Sequence, residues 1–168
     1  MEYANIDKNF TEFHKERMGI HCYPRECIIR AMLGAYPELK LAHNYKNANV
    51  LDMSCGDGRN LVLLHNLDMR LHATEITKEI CDATKERMNN FNIEVDIRVG
   101  RNSKIPFDDN YFDYIVASSS IYYLDENDMF DRTLSEVNRV LKKDGYLICT
   151  LAHPDSTLFN GAEKLDMG

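Results

Sequence analysis

Val50-Leu51-Asp52-Met53-Ser54-Cys55-Gly56-Asp57-Gly58-Arg59-Asn60-Leu61 joins an apolar strand pattern to a glycine-bearing turn and then to an apolar, helix-like segment. Glycine has no Cβ, so a backbone carrying Gly56 and Gly58 turns sharply and lets a ligand approach its N–H groups at the positive end of the following helix. The stretch therefore reads as a nucleotide-cofactor loop between a strand and a helix.

Glu75 strengthens that reading. It stands at the end of a second apolar segment, Leu71-His72-Ala73-Thr74, ahead of a helix-like stretch that starts at Thr77. A carboxylate there accepts hydrogen bonds from ribose hydroxyls, as in dinucleotide folds with an acid ~20 residues past the glycines. Two cofactor classes remain open at this point, a dinucleotide and S-adenosylmethionine. The dinucleotide fingerprint calls for G-x-G-x-x-G and a cradle for pyrophosphate. This chain offers Ser54-x-Gly56-x-Gly58 with an acid, Asp52, just before it. That arrangement suits a cationic aminoacyl end better than an anion.

With Asp52 to Gly58, two further stretches carry a resemblance. Ile105-Pro106-Phe107-Asp108-Asp109-Asn110-Tyr111-Phe112-Asp113-Tyr114-Ile115-Val116 is similar to an "LPF-x-x-x-x-FD-x-V-x" approach to a fourth strand. Glu136-Val137-Asn138-Arg139-Val140-Leu141-Lys142-Lys143-Asp144-Gly145-Tyr146-Leu147-Ile148 is similar to an "E-x-x-RVLK-x-x-G" helix, turn and fifth strand. In this order and spacing, from about residue 47 to 153, they resemble the class I S-adenosylmethionine-dependent methyltransferases, whose first motif runs D/E-x-G-x-G-x-G. Tyr23-Pro24-Arg25-Glu26 also resembles a segment that precedes the domain in methyltransferases of bacterial surface-polysaccharide loci. Tyr23 and Arg25 there either close over the ligand or start a helix with proline in its first turn.

The periodicity alternates strand and helix: strands at about 48–53, 70–75, 93–99, 113–118 and 146–152, with helices at about 58–66 and 77–90. A third helix is expected from Asp125 as N-cap, through Phe130, Leu134, Val137 and Leu141, ending before Gly145. Residues 5–36 read as helical, with a turn near Gly19 to Pro24 and a break at Tyr36-Pro37-Glu38. Such alternation specifies a doubly wound α/β fold with a mostly parallel sheet. The resemblance implies the Rossmann-like strand order 3-2-1-4-5, with the ligand at the carboxyl ends of the strands. The expected division is an N-terminal helical cap over 1–46 and a cofactor-binding core over 47–168. Only sixteen residues follow Ala152, so the core is expected to lack the family's last two strands and to be truncated at its C-terminus. An exposed edge on strand five would then favour a homodimer.

The chain's 168 residues and 44% apolar content fit one small domain. Its 20 basic and 27 acidic residues, formal charge −7, disfavour nucleic acid and anionic membranes as partners. With no apolar run near the ~18 residues that span a bilayer, a cytoplasmic location is expected. Cys22, Cys27, Cys55, Cys81 and Cys149 are odd in number and form no C-x-x-C pair, and the six histidines have no ligand spacing, so no metal is expected. Asp108 and Asp109, followed by Asn110, read as a solvated turn rather than a metal pair.

The candidate cofactor-binding residues are Asp52, Ser54, Gly56, Gly58, Glu75, Ile76, Asn102, Ser103 and Ser118. Ser54 replaces the motif's first glycine, and its hydroxyl is available to the aminoacyl end. Arg101 stands where many relatives have an acid facing the adenine amine, which leaves the Asn102 side chain, or backbone groups of Asn102 and Ser103, as acceptors. Asn102 reads equally as a residue favouring a left-handed turn. The candidate catalytic residues are His153, a neutral-range base after strand five, and Tyr123, at a position often held by histidine in the family. The expected activity is S-adenosylmethionine-dependent methyl transfer to a small-molecule or sugar-type acceptor, at oxygen, by in-line displacement. A non-catalytic subunit of the same fold that binds a partner, and a NAD-dependent oxidoreductase, are the alternatives.

Overall fold

Alternating apolar segments sort onto the two faces of a single sheet. The computed structural model describes residues 3–18, 23–34, 36, 38–39, 41–125 and 128–153. Expectations that fall on Gly19 to Cys22, on Pro37 or on 154–168 lie outside these residues. The elements are α1 (Tyr3–Arg17), α2 (Glu26–Met32), β1 (Asn49–Asp52), α3 (Arg59–Asn66), β2 (Arg70–Glu75), α4 (Lys78–Asn90), β3 (Asp96–Val99), β4 (Phe112–Ala117), α5 (Phe130–Val140) and β5 (Leu141–Cys149). The strands form one sheet ordered β3-β2-β1-β4-β5, and all neighbouring pairs are parallel. This is the expected doubly wound architecture. No helix among the described residues is long and apolar enough to cross a membrane.

Because successive residues of a strand point to opposite faces, each central strand feeds two cores. On β1, Val50 packs with Leu61 and Leu64 of α3, Met88 of α4, and Ile28 and Met32 of α2. Leu51 packs instead with Val137 and Val140 of α5. On β4, Tyr114 and Val116 join the first cluster, while Phe112, Ile115 and Ala117 join the second. Val50, Leu51, Phe112 and Ile115 are wholly buried, and removing each such side chain from water stabilises the fold by roughly 1.5–3 kcal/mol.

The second and third sequence stretches are tied to each other by Arg139. Its guanidinium donates to the carbonyls of Ile105 (2.8 Å) and Phe107 (2.9 Å) and to Asp109 (2.7 Å), while Glu136 accepts from the Ile105 N–H at 2.8 Å. The partnership holds Glu136 below the usual carboxylate range. The segment before β4 is thereby pinned to α5. Asp108 and Asp109 form an exposed turn, with Asn110 in the left-handed region at φ 53°.

Several boundaries differ from expectation. α5 starts at Phe130 behind Met129, not at Asp125, because the Asp125 carboxylate is bound to Arg101. The helix stops at Val140, and Leu141, expected as its last apolar contact, begins β5 opposite Phe112. The ladder then shifts register between Phe112 and Tyr114, and Asp144 takes the left-handed conformation, φ 64°. Gly145 therefore lies inside a strand rather than after a helix. A Cβ there would stand 3.0 Å from both Leu141 Cγ and the Lys142 carbonyl. β5 ends at Cys149, short of residue 152, and β3 starts at Asp96, since Ile93 and Val95 enter the core before the ladder begins. Thr77 caps α4, its hydroxyl accepting the Ile80 N–H at 3.3 Å.

Candidate functional site

At the carboxyl ends of β1, β2 and β4, where the strand order reverses, the loops enclose a cavity of about 470 Å³. Its floor is the Ser54–Asn60 loop. Its walls are Glu75 and Ile76 after β2, Arg101 and Asn102 after β3, and Ser118 to Ser120 and Tyr123 to Asp125 after β4. Phe10, Phe13 and His14 of α1 form the roof, with Arg25 at its side.

Three residues of the floor loop have left-handed backbones: Ser54 (φ 54°), Gly56 (57°) and Gly58 (75°). At Ser54 this conformation costs roughly 1–2 kcal/mol for a residue with a Cβ. Hydrogen bonds offset the cost, because the Ser54 hydroxyl donates to Asn102 Oδ1 at 2.9 Å and its N–H to the Thr74 hydroxyl at 3.3 Å. Gly56 is gripped from below: its N–H donates to Glu75 Oε1 at 2.7 Å and its carbonyl accepts from the Thr84 hydroxyl at 2.6 Å. From above it is met by the roof, since a Cβ at Gly56 would lie 2.6 Å from His14 Cε1. Gly56→Ala should cost about 1–2 kcal/mol of stability from the backbone alone. It should also turn the His14 ring away, which chemical denaturation and the His14 ring NMR resonances check together.

Glu75 is buried at 4% exposure, with Oε1 on the Gly56 N–H and Oε2 on its neighbour's, Ile76 (2.9 Å). Burial raises its pKa, and the two amides oppose that shift. The amides fix the carboxylate at the cavity wall, where each oxygen retains a further lone pair for a ligand hydroxyl. The Ser118 hydroxyl oxygen, also on a wall residue, is buried with no hydrogen bond. A polar ligand bearing hydroxyls would satisfy both groups.

The remaining candidates are placed differently. Asp52, expected at the cationic end of the ligand, does not line the cavity. It lies behind the loop, 1% exposed, with Oδ2 unpartnered. Burial pushes its pKa up to about 7, against the hydrogen bond from Asn60, and the neighbouring Glu75 and Asp57 push it the same way. Gly58 sits outside the cavity as the N-cap of α3, against Thr84 and Met88. Asn102 lines the cavity, but its amide is occupied: besides accepting from Ser54, its Nδ2 donates to the carbonyls of Ser120 (2.8 Å) and Tyr123 (3.2 Å). The left-handed residue of this pair is Ser54, not Asn102. Ser103 occupies the turn closed by Arg101 and Lys104 and does not line the cavity. His153 is exposed, four residues past the end of β5, and away from the lining. Tyr123 does line it, with its ring edge-on to Phe10 at 5.2 Å. Burial and Tyr122 raise its pKa, so at neutral pH the phenol is a donor rather than a base.

Phe10, His14, Asn60 and Asp125 line the cavity without having been legible as site residues in the sequence. Arg101 was legible as a departure from the family pattern, yet its partners, Asp7 and Asp125, were not. No group of histidine, cysteine and acidic side chains among the described residues could hold a metal.

The family described as "Methyltransferase domain" matches residues 51–149. Demethylmenaquinone methyltransferase of Listeria welshimeri is 26% identical over 115 residues, covering 66% of this chain and 48% of the relative. The Listeria monocytogenes enzyme of the same name is also 26% identical. The chain thus spans about half the length of the curated relatives it matches. Among solved structures, the PH0226 protein of Pyrococcus horikoshii superposes with a TM-score of 0.58 at 26% identity, over 72% of this chain and 57% of that one. A SAM-dependent methyltransferase from Aquifex aeolicus gives 0.62 at 20% identity over 83% and 71%, a likeness of fold.

Proposed function

Because the chain belongs to the methyltransferase-domain family, we propose that it transfers a methyl group from S-adenosylmethionine to a hydroxyl oxygen of a small-molecule or sugar-type acceptor, by in-line displacement. The observation that carries this reading is the Glu75 carboxylate, oriented by the Gly56 and Ile76 amides at the wall of a roofed cavity. S-adenosylmethionine, when bound, supplies a sulfonium-activated methyl carbon that needs an aligned nucleophile more than covalent catalysis.

Glu75 accepts from the ribose hydroxyls, while the Ser118 hydroxyl, buried without a partner, holds a further polar group of the ligand. Asn102 acts indirectly, keeping the Ser54 loop and the loop after β4 in register. The Tyr123 phenol donates a hydrogen bond to the acceptor. His14 takes the role expected of His153, receiving the acceptor proton, because it lines the cavity and His153 does not. Phe10 and Phe13 exclude water from above. Arg25, from the Tyr23 to Glu26 segment whose likeness suggested the sugar-type acceptor, also lines the cavity. The cap over 1–46 supplies the roof, and the core over 47–168 supplies the cofactor floor.

Calorimetric titration with S-adenosylhomocysteine tests the cofactor assignment. One-site binding is expected, and absence of heat from folded protein, or binding of NAD in its place, overturns it.

A further inference from the structure

Arg101 points its guanidinium into a junction of three segments that are far apart in the sequence. One edge donates to Asp7 of α1 at 2.7 Å, and the other donates to Asp125 of the loop after β4 at 2.5 Å. We propose that Arg101 is a positioning residue that latches α1 over the cavity, so that the roof opens and closes around the ligand as the Asp7–Arg101–Asp125 bridge breaks and forms. The ligand named here rests on the cofactor reading above, whereas the latch follows from the geometry alone.

α1 is tied to the rest of the fold at other points as well. None of its described side chains belongs to either apolar core cluster. These ties include the Phe10–Tyr123 edge contact, a 3.1 Å approach of the Thr11 and Thr77 hydroxyls, and the Lys15–Glu79 ion pair. The Lys15–Glu79 side chains are 52% and 56% exposed, where solvent screens an ion pair to little net effect. Arg101, Asp7 and Asp125 are 29%, 23% and 16% exposed, so their bridge is the better shielded one. An element whose described side chains lie outside the apolar core clusters opens below the global unfolding free energy. Asp7 also keeps Oδ1 buried without a partner, a cost borne in the closed position that keeps closure reversible.

What the latch controls follows from the roof's position. His14 stands directly above Gly56, and Phe10 and Phe13 line the same cavity. Lifting α1 therefore uncovers the Gly56–Glu75 corner, where the cofactor's hydroxyls bind in the reading above.

The test uses the full chain with Arg101→Met and Asp7→Asn, singly and together. Asp7 does not line the cavity, so its isosteric variant leaves the lining unchanged. Hydrogen exchange of the α1 amides is read without ligand, and the dissociation rate of S-adenosylhomocysteine is read by stopped flow. Each single variant should speed α1 exchange by about tenfold, the factor that corresponds to losing ~1.4 kcal/mol of closure. Each should also speed ligand release several-fold, and the double variant should be no worse than Arg101→Met. Raising salt from about 0.05 M to 0.5 M should accelerate release from the unmodified protein more than from Arg101→Met, where only the Lys15–Glu79 pair of the described α1 ties remains to be screened. Unchanged α1 exchange in folded Asp7→Asn overturns the latch. If the unmodified protein binds no S-adenosylhomocysteine, the cofactor reading fails and the exchange measurement alone decides the latch. Should Arg101→Met not fold, Asp7→Asn carries the test.

Discussion

Glu75→Ala should lower affinity for S-adenosylhomocysteine by at least about tenfold, because hydrogen bonds to a charged acceptor are worth roughly 1.5–3 kcal/mol each. The carboxylate is buried and is held at the cavity wall by two backbone amides. Removing it strands the Gly56 N–H as well as the ligand hydroxyls. The floor loop should therefore loosen with the loss of binding. Glu75→Gln separates the effects: it keeps the side chain's shape and one oxygen, so the loop should hold better than in the alanine variant while affinity still falls. Calorimetry gives the affinity, and a denaturant melt of the same samples gives the stability. An unchanged dissociation constant in folded Glu75→Ala would mean that the ribose is held elsewhere.

The second large effect concerns Asp52. Its folded pKa is raised from 3.8 to about 7 by burial, so the native state holds a proton that the unfolded chain releases. Between these values the folded form binds more protons, and stability falls as pH rises. The favourable contribution is complete below about pH 4 and is lost as pH passes 7. At ~1.36 kcal/mol per pKa unit, the interval corresponds to a loss on the order of 4 kcal/mol above pH 7. Asp52→Asn keeps a partner for Asn60 and carries no charge. Its stability relative to the unmodified protein should therefore rise from pH 4 to about pH 7 and level off above that, as read from paired denaturant titrations. A difference that stays flat over that range would mean that Asp52 is already ionised in its buried setting.

These two acids mark how far the sequence can be read. Both stand at strand ends beside the glycine turn, and each was expected to face the ligand. Only Glu75 does. The difference arises because the chain folds Asn60 back onto Asp52 and leaves the Glu75 side chain at the wall, and neither event is encoded in a local pattern. The same holds for the histidines. His153 follows strand five and His14 lies in a charged N-terminal segment, so a local reading favours His153. The packing of α1 across the floor loop puts His14 at the cavity instead.

The strand-helix alternation and the place of Glu75 beside the glycine turn were legible in the amino-acid sequence, because they depend on side-chain period and on glycine's freedom at Gly56 and Gly58, while the strand order and the position of the cavity followed from the resemblance that the motifs carry. The side chains that close the cavity were decided only by tertiary structure. Asp7, Arg101 and Asp125 lie at distant points in the chain and meet through packing. Asn102 looked available to a ligand until Ser54, Ser120 and Tyr123 took up its amide. Local pattern fixes which face of an element is apolar, and contacts between elements fix which polar groups are left to face a ligand.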